Sequence, residues 1–563
     1  MKNKEIENLG FFFLFLPVLT LLLCGFSWLV GWHITAFQFP IALILAFILS
    51  SKLEYGKLIA IRPLLYGLVL ILSFGFISWF FKDGSFDGNW YHQPGIYLMS
   101  KGWNPIYQHH SFDLMHDTSN MWIDHYAKGQ ETVCASIVAL TGNIELGKTA
   151  NFFLPISSLA FVILSLIRLF PSWSEKKVAV LSLIIAFPPI IWNMVATYYI
   201  DFILYSIVIL TLCNVILYSE KEDSKFVWMF VPILAITISV KFNFIIWFVM
   251  LCTGIIIYFI RTKKMRLIRY SLISGIGMII VALTTFSYNP YISNILDHGS
   301  PVYPLAGSSN NVDIMTLNDP VSFKGYNELE KVLVADFSRP TTKSQSTNYF
   351  FPYGGYPLKN LTACGSSSVI LGGAGLTWID ALVLSVIIFI ASNSFRDKRR
   401  RRYFWFSLLL IATQFLVPGG WIYRYTSYIY LIPILLLIAT ETTQISNFCR
   451  NVRKAAYGLL LFNSIFAFIV TFGTTFAINQ IEDYYVKCIN ATDRPCYQSD
   501  LFGFVHKIDP LKRKFCLIEG KENLETIPLL PSRVRILIDY KALNRNVHTN
   551  FVQNLLIKKG VIK

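Results

Sequence analysis

The chain has 563 residues, of which 54% are hydrophobic and only 15% charged, with a mean hydropathy of +0.51. A soluble protein of this size cannot bury that much apolar surface, so repeated apolar runs separated by short charged stretches read as a polytopic, all-α membrane protein. The formal net charge of +16 is no nucleic-acid signature, because much of it sits in short loops between apolar runs, where the positive-inside rule places it.

The first apolar run follows Lys2 and Lys4, as in a signal peptide, but no small-residue cleavage site follows and a retained first helix is expected. Apolar runs predict about thirteen spans, over 10–32, 35–51, 63–81, 150–170, 178–192, 199–218, 226–240, 243–260, 270–288, 372–393, 403–418, 426–441 and 455–477. With a cytoplasmic N-terminus, the basic loops all fall on one side: Lys52 to Arg62, Lys176–Lys177, Lys221 to Lys225, Arg261 to Arg269, Arg396 to Arg402 and Arg450 to Lys454. Loops 82–149 and 289–371 and the tail 478–563 then face outward. This divides the chain into two N-terminal helices (1–62), a module over 63–477 carrying both large loops, and a small C-terminal extramembrane region (478–563).

Loop 82–149 gathers five of the nine histidines between His92 and His125. Within it, 89–100 predicts a short interfacial helix with Pro94 in its first turn, and 131–141 a second short helix. Asp87 follows an apolar span closely, which would hold a carboxylate at the membrane surface as a general base; Asp83 is the alternate, and both also fit as plain loop residues. Tyr91 and His92 could orient a phosphate or hydroxyl, or anchor the interface. His109, His116 and Asp117 belong to a cluster whose side-chain types suit a divalent metal, although their spacing matches no specific site.

Further along, Asp201, Lys241 and Arg424 lie at outward ends of apolar runs. An ionisable residue there is a functional candidate: the two cations could clamp phosphates, and an ion pair of Asp201 with either cation is the structural alternative. Tyr288 to Gly307, with His298 and Tyr303, reads as a shaped segment rather than a linker, and Tyr349 to Asn360 as an aromatic sugar-stacking stretch. Cys488 and Cys496 are a candidate disulfide. The tail, with Arg533 to Tyr540 and Phe551 to Ile557, reads as a small folded cap.

With SFDGNWYHQPG around Asp87, TYYID at Asp201, SVKFNFI at Lys241, NPYISN…GSPVYP, and WIYRYTSYIYLIP at Arg424, the sequence resembles the GT-C superfamily of membrane glycosyltransferases. The resemblance covers roughly 63–440 and implies a GT-C-like helix bundle in a bacterial cytoplasmic membrane, with the active site and C-terminus periplasmic. It implies inverting transfer of a sugar from an undecaprenyl- or other polyprenyl-phosphate donor to a glycan, lipid or protein acceptor, in contact with membrane lipids and other envelope-biosynthesis proteins. Asp87 would be the catalytic base, Asp83, His92 and Asp201 supporting groups, and Lys241 and Arg424 phosphate ligands. Tyr91, Tyr198, His298, Tyr303 and Tyr425 would line the substrate. No cofactor is implied, the metal at His109, His116 and Asp117 being the alternative. The pair Asp87–Gly88 departs from the Asp–Glu pair of many members, and the Trp-Trp-Asp signature of oligosaccharyl-transferring members is missing. The competing readings are an O-antigen polymerase or ligase, in which Asp87 would be dispensable, and a lipid-linked-glycan transporter.

Overall fold

The computed structural model describes residues 2–56, 60–109, 119–306, 319–342, 358–392, 394–441, 446–491, 545 and 547–562. His116, Asp117, Cys496, the aromatic stretch 349–357 and most of the expected C-terminal cap lie outside the described residues.

The chain is overwhelmingly helical. Helices α1 (Asn3–Leu29), α2 (Gln38–Tyr55) and α3 (Ile61–Phe80) are followed by a single π-helical turn, Gly88–His92, and by α4 (Gln93–Ser100), α5 (Ser119–His125) and α6 (Gly129–Thr141). A 3-10 segment, Ile144–Phe152, leads into α7 (Phe153–Leu169), then α8 (Glu175–Ala186), α9 (Pro189–Val195), α10 (Phe202–Tyr218), α11 (Lys225–Val240), α12 (Phe242–Arg261) and α13 (Met265–Thr284). After α14 (Tyr288–His298) and α15 (Glu328–Asp336), two short strands, β1 (Thr341–Thr342) and β2 (Val369–Leu371), pair antiparallel. The series closes with α16 (Trp378–Ala391), α17 (Lys398–Gln414), α18 (Leu431–Ala439), α19 (Asn447–Asn490) and α20 (Phe551–Lys558).

Each expected span contains a helix, but their lengths differ. Among the described residues, seven helices are long and apolar enough to cross a membrane, or eight if α8 and α9 form one broken span, bent by 62°. Pro188 and Pro189 explain that bend, since neither ring nitrogen can donate to the preceding turn. At 1.5 Å per residue, the 17 residues of α10 and 16 of α11 reach only about 25 Å, less than the roughly 30 Å of hydrocarbon. By contrast, α19 runs for 44 residues, straight past the boundary expected at 477.

Helix α1 is the centre of the bundle. It is buried on every side from Leu9 to Val18, as an apolar helix without a polar face requires, and it packs against α2, α7, α11 and α6. The helices expected in loop 82–149 are not surface elements. Nearly all of α4 and the first ten residues of α6 are buried, α6 against α1. Small residues allow this: a Cβ on Gly129 would come within 2.6 Å of the Ser239 side chain on α11.

Charge pairs gather the helix ends. At one end Lys225 reaches Glu7 at 2.9 Å and Glu54 at 2.7 Å, joining the starts of α1 and α11 to the end of α2. Arg168 binds Glu220 at 2.9 Å, and Arg453 lies 3.4 Å from Glu441. These are the ends flanking the basic loops. At the other end Lys82, just past α3, pairs with Asp483 of α19 at 2.9 Å. The candidate site lies on that side.

Candidate active site

The site begins where α3 ends. Asp83 is 2% exposed, and its carboxylate accepts from the Ser85 amide at 2.8 Å, the Tyr198 amide at 3.0 Å and Gln93 Nε2 at 3.3 Å. Its own amide donates to Glu145 at 3.1 Å. Burial pushes the Asp83 carboxyl pKa up, opposed by the nearby Lys148 ammonium and the Ser85 bonds. Asp83 is therefore a fastener that fixes the turn before Asp87, with all its valences used inward. A Cβ on Gly88 would meet the Asp83 carboxylate at 2.1 Å, so no glutamate side chain fits after Asp87. The glycine at this position follows from the packing of Asp83.

Asp87 precedes the π-helical turn and faces a cavity of about 380 Å³. Arg424 Nη1 donates to Asp87 Oδ2 at 3.2 Å, with both side chains mostly buried. The guanidinium carbon lies 5.3 Å from the ring centres of both Tyr199 and Tyr425. Burial opposes the Arg424 cation, but Tyr425, Asp87, Asp201 and Tyr199 outweigh it and raise its pKa, so the side chain stays charged. Lys241, in an extended conformation between α11 and α12, donates to Asp201 at the start of α10. Its ammonium sits 4.5 Å from the Tyr425 ring centre. Phe86, Trp90, Tyr91, Trp122, Tyr126, Tyr199 and the β2 segment Ser368 to Ile370 complete the wall. The cavity wall thus holds the Asp87–Arg424 pair and the Lys241 ammonium, itself paired with Asp201, within an aromatic box.

Asp87, Tyr91, Lys241, Arg424 and Tyr425 are brought together as the sequence predicts, and Asp201 joins them through Lys241. Other expected residues lie elsewhere. His92 is 1% exposed and bonds Glu131 of α6 at 2.6 Å, which locks the loop onto the bundle. The Tyr198 hydroxyl donates to the Ile144 carbonyl, away from the cavity. His298 and Tyr303 stack on each other at 3.6 Å, beside His125, which burial pushes down to about 4. His109 lies 3.6 Å from Asp297 in that same region. Among the described residues no three His, Cys, Asp or Glu side chains converge as metal ligands would.

Sequence reasoning missed Tyr199, Trp122, Tyr126 and Ser368 to Ile370. Two adjacent tyrosines before Asp201 carry no signal that separates the cavity wall from the packing residue. The run Ser368 to Leu371 could have been read as a short buried strand. Compared with known proteins, the chain matches no protein-family model, no curated protein and no solved structure.

Proposed function

We propose that the chain is an inverting glycosyltransferase that takes a sugar from a polyprenyl-phosphate donor and passes it to an envelope acceptor on the outer face of a bacterial cytoplasmic membrane. The observation that carries this reading is the convergence of Asp87, Lys241 and Arg424 on one aromatic-lined cavity, at the bundle end opposite the basic loops.

The donor phosphate binds Arg424 and Lys241, and in doing so takes the guanidinium away from Asp87. The released carboxylate accepts the proton of the acceptor hydroxyl as that oxygen bonds to the anomeric carbon. The carbon–oxygen bond to phosphate breaks on the opposite face, and the lipid phosphate leaves with its charge matched by the two cations. The aromatic walls stack on the sugar ring and keep water out of the cavity. A polymerase would lean on a histidine beside the arginine; no histidine lines this cavity among the described residues.

Binding of a polyprenyl-phosphate sugar to detergent-purified protein tests the phosphate role. Arg424→Gln should weaken it by about tenfold or more, the cost of a lost charged hydrogen bond. Asp87→Asn should bind at least as tightly as wild type, because Arg424 no longer has an internal carboxylate to leave. Unchanged affinity in Arg424→Gln contradicts the assignment.

A further inference from the structure

A second cavity opens on the same end of the bundle, on the other side of the segment that carries Asp87. It holds about 470 Å³ and lies between the ends of α3, α4 and α6. Lys82, Ser100, Lys101 and Asn143 supply hydrogen-bond donors to its wall, with Trp79 and Tyr97 as aromatic faces. Glu145, also in the wall, is matched by Lys148 at 2.7 Å, and Lys82 by Asp483 at 2.9 Å. Lys101 adds a further cation, its ammonium 5.3 Å from the Tyr97 ring centre.

The cavity continues into an apolar stripe. Ile61, Leu65, Val69, Leu72, Phe76 and Trp79 recur every three or four residues along one face of α3, and each is more than half exposed. The stripe is about 27 Å long and ends at the cavity mouth. A cationic polar pocket at the head of a long exposed apolar face has the shape and charge of a bound amphiphile: headgroup in the pocket, chains along the helix.

We propose that this cavity binds the phosphate headgroup of an anionic phospholipid whose acyl chains lie along α3. The site does not depend on the glycosyltransferase reading, since its cations and walls differ from those around Asp87. An occupant would brace Lys82 and, through it, the turn at Asp83.

The test is native mass spectrometry of the full chain released from nanodiscs made of equal phosphatidylglycerol and phosphatidylcholine. Wild type should retain phosphatidylglycerol about fivefold over phosphatidylcholine, the preference one lysine at a membrane surface confers. Lys101→Gln, at an exposed position that takes part in no ion pair among the described residues, should lower that ratio towards one, and Lys101→Glu should invert it. Lys324→Glu, an exposed charge change elsewhere, should leave it as in wild type. Equal retention of both lipids by wild type would mean annular lipid only and overturn the proposal, as would an unchanged ratio in Lys101→Glu.

Discussion

Tyr198 and Tyr199 are neighbours in sequence with opposite fates. The Tyr198 amide holds Asp83 and its hydroxyl holds the Ile144 carbonyl, while Tyr199 turns to the cavity, 3.3 Å from Ser368 Oγ and beside Arg424. Tyr198→Phe should therefore cost about 1 kcal/mol of stability and leave donor affinity unchanged, whereas Tyr199→Ala should weaken donor binding several-fold. Thermal unfolding and a binding isotherm on each variant check this. Asp83 and Asp87 differ in the same way. The sequence offers two Asp–Gly pairs four residues apart, and only burial tells the fastener from the residue facing the cavity.

Among the elements, the short β1–β2 pair carries more than its size suggests. It sets Ser368 to Ile370 into the cavity wall, and the glycines after it let the chain run against the arginine segment. A Cβ on Gly373 would lie 2.4 Å from the Tyr423 ring, directly before Arg424. Gly373→Ala should displace that segment and lower donor affinity several-fold; equal affinity in the variant would separate β2 from the site. Helix α15 ends on Asp336, whose carboxylate accepts from Gln414 Nε2 at 3.1 Å and which burial pushes up to about 7. Because this pKa is raised on folding, the contribution is full at low pH and is lost as pH rises through about 7. Stability should fall between about pH 4 and pH 7 and level off above, and Asp336→Asn should flatten that fall in a pH series of melting curves.

For the molecule as a whole, hydropathy was enough to locate every long apolar helix among the described residues. The Glu7–Lys225–Glu54 cluster joins the starts of α1 and α11 to the end of α2, and the Asp83 cluster joins the end of α3 to the turn before α10. The ionisable residues in apolar runs were legible for the same reason: Lys241 and Arg424 are costly there and had to be matched. What the sequence could not show was depth. The loop 82–149 reads as polar, yet α6 buries its face against α1, α4 packs on α6, and His92 spends its polarity on Glu131. Histidines 125 and 298 likewise pack with Tyr303 in a cluster of their own, since side-chain type alone does not say which cavity a residue enters.

The central claim is that Asp87 is the base of a sugar transfer. The most direct measurement is release of free lipid phosphate from a panel of undecaprenyl-phosphate sugars in proteoliposomes, with wild type and Asp87→Asn compared at saturating donor. The account predicts turnover by wild type on at least one donor and a fall of at least about a hundredfold in the variant, with donor still bound. Equal turnover by the two proteins, or a folded wild type that consumes no donor with any acceptor, would contradict it.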